Sequence, residues 1–116
     1  AFSVREQTDG LVLRIEDAAA LNDFRSNSFR DSLYEAVDGR TRVAVDLGGV
    51  DFLSSSGVAI LVGLRRRLDR AQGKLVLFGV QPVVLDLLRI TRLDQYFVFA
   101  PREDQALELL RPLPTA

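Results

Sequence analysis

The apolar and polar positions of this chain fall into short blocks whose period changes repeatedly. Phe2 to Glu6 (FSVRE) alternates as an edge strand does, Asp9-Gly10 is a strong turn dipeptide, and Leu11 to Ile15 (LVLRI) follows. Two such runs around an Asp-Gly turn predict a β-hairpin. Glu16 to Asn22 (EDAAALN) has no clear period and reads as a loop. Asn22 or Asp23 then caps a predicted helix that runs to about Val37. Phe24, Phe29, Leu33 and Val37 form its apolar stripe with Ala36 beside them, while Arg25, Arg30, Asp31 and Glu35 lie away from it. Asp38-Gly39 ends that helix.

Arg42 to Leu47 (RVAVDL) is a β-branched run that predicts a central strand, broken by Gly48-Gly49. Three serines and Gly57 lead into a helix predicted to open around Ser56-Gly57 and run to about Ala71. Its inward stripe is Ile60, Leu61, Leu64, Leu68 and Ala71; Val58 and Val62 sit one step off it, partly exposed. Arg65, Arg66, Arg67 and Arg70 gather at its end, where cations complement a helix C-terminus. Gly73 stops it and Lys74 to Gly79 (KLVLFG) is another buried strand. Pro82 opens a helix with an apolar face of Val84, Leu85, Leu87, Leu88 and Ile90. Tyr96 to Phe99 reads as a short strand, and Pro101 precedes a final helix with Ala106, Leu107, Leu109 and Leu110 inward. A hairpin followed by alternating helices and strands predicts an α/β fold with a mixed, mostly parallel five-stranded sheet, about four helices and right-handed crossovers. At 116 residues the chain is read as one domain over 1–111, with a loose tail at 112–116.

Composition narrows the chemistry. There is no cysteine, histidine, methionine or tryptophan, and Lys74 is the sole lysine. Disulfides, thiolate chemistry, the usual zinc sites and Ser-His triads are therefore excluded. Net charge is −1 with both signs interspersed, so no general affinity for nucleic acid or anionic membrane is expected. The longest apolar run, Gly57 to Leu64, stops at Arg65, well short of the about 20 residues a membrane span needs. No targeting segment is visible, and a cytoplasmic protein without membrane insertion is the default expectation. The sequence starts at Ala1 without a methionine, which is consistent with a trimmed leader.

The stretch Asp46 to Leu64 (DLGGVDFLSSSGVAILVGL) draws attention because three hydroxyls stand at a helix start, past the C-terminal end of a central strand. The plainer reading is a helix cap, in which one serine accepts a bond from a free backbone N–H. Three consecutive serines exceed what one cap requires. A helix start also favours an anion, so a phosphoserine there need not unfold the loop. It adds about −1.5 to −2 charges, which Asp51 and Asp46 would repel and which would fall beside Leu53, Val58 and Val62. A serine nucleophile lacks a base, and Gly48-Gly49 lacks the glycine and lysine spacing of a phosphate-cradling loop. The scattered carboxylates Asp46, Asp51, Asp69 and Asp94 show no metal-loop spacing.

The run VAVDLGGVDFLSSSGVAILVGLRRRLDRAQGKLVLFGV, together with QPVVLDLLRITRLDQYFVFAPREDQAL, resembles the STAS domain of bacterial anti-sigma factor antagonists. The order of elements matches across nearly the whole chain. The family's signature before the helix is Asp-Ser-Ser/Thr-Gly, with the first hydroxyl residue as phosphate acceptor. By position, Ser54 stands where the family has Asp, Ser55 is the acceptor, Ser56 is its neighbour and Gly57 opens the helix. The resemblance implies a partner-switching regulator of transcription with no cofactor and no enzymatic activity of its own. Unphosphorylated antagonist sequesters an anti-sigma factor that is itself a serine kinase; phosphorylation breaks the complex and a PP2C-type phosphatase restores it. Leu53, Ser54, Ser56, Gly57, Val58 and Val62 are the expected partner-binding positions around Ser55. Two departures stand out: Ser54 replaces the family Asp, and Ala19-Ala20-Leu21-Asn22 replaces the usual Gly-Glu/Asp-Leu-Asp. The alternative is a STAS scaffold, or an accessory domain of a signalling or transporter complex, that is not phosphorylated. The edge runs Phe2 to Glu6 and Tyr96 to Phe99 leave room for a weak homodimer.

Overall fold

The computed structural model describes residues 2–22 and 27–111. Its strands are β1 (Phe2–Gln7), β2 (Gly10–Ile15), β3 (Arg42–Asp46), β4 (Lys74–Phe78) and β5 (Val98–Ala100). Its helices are α1 (Ala18–Asn22), α2 (Asn27–Val37), α3 (Ser55–Arg70), α4 (Pro82–Ile90) and α5 (Glu103–Leu110). The sheet runs in chain order, β1-β2-β3-β4-β5. The first pair is the antiparallel hairpin, with Gln7 opposite Gly10, and the other three pairs are parallel. The α/β class and the mixed, mostly parallel five-stranded sheet are as the patterning predicts. Four helices have eight residues or more, and α1 is an additional short one.

Side chains alternate across the sheet. Leu11, Leu13, Val43, Val45, Leu75 and Leu77 face α2, α3 and α4 and join Phe29, Leu33, Ile60, Leu61, Leu64, Leu68, Val84 and Leu88 in the larger core. Val12, Ala44, Val76, Phe78 and Ala100 face the other way, against Ala106 and Leu110 of α5. Both faces are covered, so the inner strands read as continuous apolar runs. Crossovers of one hand, advancing one strand at a time, place their helices on one face, which is where α2, α3 and α4 lie.

Several sequence expectations are corrected. Residues 18–22 form α1, not a loop; the Asp17 carboxylate accepts a hydrogen bond from the Ala19 amide at 3.0 Å, and five residues are too few to show a helical period. Asn22 therefore ends α1 and does not start α2; Asp23, Phe24, Arg25 and the tail at 112–116 lie outside the described residues. Helix α3 begins one residue earlier than expected, at Ser55, and β3 ends one earlier, at Asp46. Ala71 is the exposed C-cap of α3 and not part of its stripe. Gln72, not Gly73, takes the left-handed conformation that ends this helix, with φ 57°. Gly73 is needed for a close approach instead, since a Cβ there would stand 2.5 Å from the Thr41 carbonyl oxygen. Tyr96 and Phe97 precede β5, because a 3₁₀ turn at Leu93–Gln95 uses up that part of the connection. Ile90 and Leu109 point outward; α4 and α5 are short and their buried stripes consist of Val84 with Leu88 and of Ala106 with Leu110.

On α3, the Arg67 guanidinium lies 4.2 Å from the Tyr34 ring centre and that of Arg65 lies 4.3 Å from the Tyr96 ring centre. The Tyr34 hydroxyl donates to the Ile60 carbonyl at 3.1 Å, and burial pushes its pKa up while the Arg67 charge opposes the shift. Gly63 makes room for it: a Cβ at that position would stand 2.1 Å from the Tyr34 oxygen.

Candidate functional site

Strands β3 and β4 end side by side, and the chain leaves both toward helices at the same edge of the sheet. The β3–α3 connection is held at its start by the Leu47 amide donating to the Phe78 carbonyl (3.1 Å) and by the Val50 amide donating to the Leu47 carbonyl (3.0 Å). The Asp46 carboxylate turns onto the Gly48 amide at 2.9 Å. Val50 and Leu53 drop into the core and pin the connection from below. Between them Asp51 and Phe52 face solvent, Phe52 with 60% of its surface exposed.

Ser54 is the N-cap of α3, in an extended conformation at φ −77° and ψ 171°. Its Oγ accepts from the Gly57 amide at 3.1 Å and donates to the Asn22 carbonyl at 3.0 Å. Asn22 completes the arrangement from α1. Its Oδ1 accepts from the Ser54 amide at 2.7 Å and its Nδ2 donates to the Phe52 carbonyl at 2.6 Å. Leu21, fully buried, seats the end of α1 so that Asn22 meets the loop. A Cβ on Gly57 would stand 2.5 Å from Asn22 Oδ1, so glycine there is a condition of this clamp. The two departures from the family pattern, Ser54 and Asn22, are thus bonded to each other, and both are uncharged.

Ser55 is the first residue of α3 and is exposed. Among the described residues its hydroxyl makes no hydrogen bond. Ser56 is half-buried, as are Val58 and Val62, four residues apart on one helix face and packed against the margin of the core. The structure therefore brings Ser54, Ser55, Ser56 and Val58 to one helix start, with Val62 one turn beyond Val58 on the same face. Leu53, 3% exposed, and Gly57, buried, support the loop from inside. The exposed apolar residue of the loop is Phe52. Sequence reasoning also missed Asn22 as a clamp, although the pairing of two departures from one pattern was a signal for it.

Among the described residues no group of three or more acidic side chains could hold a metal ion, and no helix is long and apolar enough to cross a membrane.

A sheet of this order, with a polar loop at a helix start beyond a central strand, defines the class of domain. The family model for the STAS domain matches residues 1–106, and the chain belongs to that family. A protein of Bordetella bronchiseptica, named as a candidate anti-sigma factor antagonist (BtrV), is 29% identical over 111 residues, covering 94% of this chain and 95% of its own. The anti-sigma-factor antagonist (STAS) domain protein of Planctomyces limnophilus superposes with a TM-score of 0.82 at 23% identity, over 94% of this chain and 97% of that one. The Bacillus cell fate determinant SpoIIAA in its phosphorylated form superposes with a TM-score of 0.69 at 23% identity, over 96% of this chain and all of that one.

Proposed function

We propose that this STAS domain is an anti-sigma factor antagonist switched by phosphorylation of Ser55. The observation that carries the reading is the Ser55 hydroxyl, exposed and, among the described residues, unbonded at the first position of α3, beyond a loop held in place by other residues. The similarity to a candidate antagonist along nearly the whole chain supports the same reading. In the unphosphorylated state the domain binds an anti-sigma factor serine kinase through the rim of Ser54, Ser56, Val58 and Val62. ATP belongs to that kinase, and a PP2C-type phosphatase resets the serine.

The mechanism needs no change of fold. Ser54 and Asn22 carry the capping bonds, so modification of Ser55 leaves them in place. The open amides and dipole of a helix start accommodate the phosphate. Its about −1.5 to −2 charges repel acidic groups of a bound partner and oppose desolvation of the half-buried valines beside it. Replacement of the family Asp by Ser54 removes one carboxylate that would have repelled the same phosphate.

The test is incubation with ATP and the anti-sigma serine kinase of the same organism, with mass spectrometry on the wild type and on Ser55→Ala. One phosphate on the wild type and none on the variant, with loss of kinase binding on modification, is expected. Binding without modification favours the second reading, a non-switching STAS scaffold, for which Ser54 in place of Asp is the specific support. Neither binding nor modification defeats the antagonist reading.

A further inference from the structure

We propose that the groove between residues 51–53 and α4 is a docking site for an amphipathic helix of a partner protein, with apolar side chains flanked by lysine or arginine. The proposal rests on the reading above in placing a partner at this edge of the sheet, and it adds where that partner's affinity is won.

Helix α4 carries two apolar stripes where packing needs one. Val84 and Leu88, four residues apart, are buried against the sheet. Val83, Leu87 and Ile90, spaced by four and three, form a second stripe, in which Val83 is 58% and Ile90 80% exposed. Phe52 faces that stripe from the loop, and the two sides enclose an open groove of about 340 Å³ with Leu53 and Val84 among its lining. Nothing in the fold explains why both Val83 and Ile90 are apolar at such exposure.

Charge selects the occupant. Among the described residues the polar side chains lining the groove are Asp51 and Asp86, and no cation lines it. Asp86 meets Arg89 at 3.5 Å, with both side chains more than 60% exposed, and such a pair contributes little. An apolar floor with two carboxylates at its rim complements a segment that presents Leu, Ile or Phe with a basic flank. The length also fits. The nine residues of α4 span about 14 Å at 1.5 Å per residue, enough for anchors at i, i+3 or i+4, and i+7 of a facing helix. The groove is continuous with the serine loop through the backbone, because the Phe52 carbonyl is the one Asn22 holds. The groove supplies affinity and Ser55 supplies control.

The proposal is tested on the full chain by amide NMR. The probe is a 14-residue helical peptide with Leu at i, i+4 and i+7 and lysine on both flanks, compared with a twin carrying glutamate for lysine. Shifts confined to residues around Phe52, Val83 and Ile90 are expected, with the lysine peptide at least tenfold tighter. Asp86→Lys should reverse that preference, and Phe52→Ser combined with Ile90→Ser should abolish binding. These side chains are exposed, so unchanged spectra elsewhere verify the fold. No shift at millimolar peptide, equal affinity for the two peptides, or the same shifts on concentrating the protein alone (a second copy as occupant) each overturn the proposal. A parallel measurement uses the serine kinase: at least tenfold weaker binding by the double serine variant is expected. Equal binding of wild type and variant overturns the groove while the antagonist reading stands. Failure of the kinase to bind or modify the wild type defeats that reading, and the peptide result then decides the groove alone.

Discussion

Helices α3 and α4 start at the same edge of the sheet, each beyond a parallel strand, yet their first turns are built in opposite ways. At α3, Ser54 caps the helix and Asn22 bonds the residues before it, so the Ser54 amide and hydroxyl and the Gly57 amide are paired off, while among the described residues the Ser55 hydroxyl is open. At α4, Pro82 removes an amide that would need a partner, and Gln81 makes no capping bond. The Gln81 side chain instead donates from Nε2 to the Gly48 carbonyl at 2.8 Å, tying α4 back to the loop before α3. One helix start is a polar, clamped acceptor. The other needs little clamping and leaves its surface to Val83. The contrast teaches that equal topological position fixes where a site lies but not what it offers.

The contrast is broken most severely at Asn22. Asn22→Ala leaves the half-buried Ser54 amide and the Phe52 carbonyl without their partners, a loss of about 2–3 kcal/mol in urea unfolding. Amide exchange at residues 52–57 should quicken with it, whereas a loss spread evenly over the domain would contradict the clamp. Gly57→Ala comes next. Its methyl displaces Asn22 Oδ1, a cost of about 1–3 kcal/mol offset by roughly 1 kcal/mol of helix propensity, and a net gain in stability would show that the clamp yields freely. Ser54→Ala removes the cap and should cost about 1 kcal/mol, while Ser54→Asp keeps a capping oxygen but cannot donate to the Asn22 carbonyl and should recover only part of that loss. The smallest effect belongs to the other helix: Gln81→Ala, an exposed bond, is expected to change stability by less than about 0.5 kcal/mol. A loss matching that of Asn22→Ala would erase the distinction between the two starts.

Much of this arrangement is legible in the residues. Alternation in Phe2 to Glu6, the β-branched run at Arg42 and the apolar run at Lys74 mark strands because burial on one or both faces dictates their period. The serine helix start is legible because hydroxyls and glycine have few other uses there. What was not legible depends on contacts between distant segments. Asn22 lies 32 residues from Ser54, and its role follows from where α1 ends. Ile90 reads as core because apolarity alone does not say which of two stripes the sheet covers. Leu53 reads as surface beside Phe52, and only the fold of the loop tells which of the two turns inward.

Arg65 and Arg67, whose guanidinium groups cover Tyr96 and Tyr34, are two residues apart and project to different sides of α3. Those are the two tyrosines of a chain without tryptophan. All of its longer-wavelength ultraviolet emission therefore originates in phenol rings resting on one helix, the helix whose first residue is Ser55. The native fluorescence of the domain is in effect a gauge of how α3 is seated, read without any label.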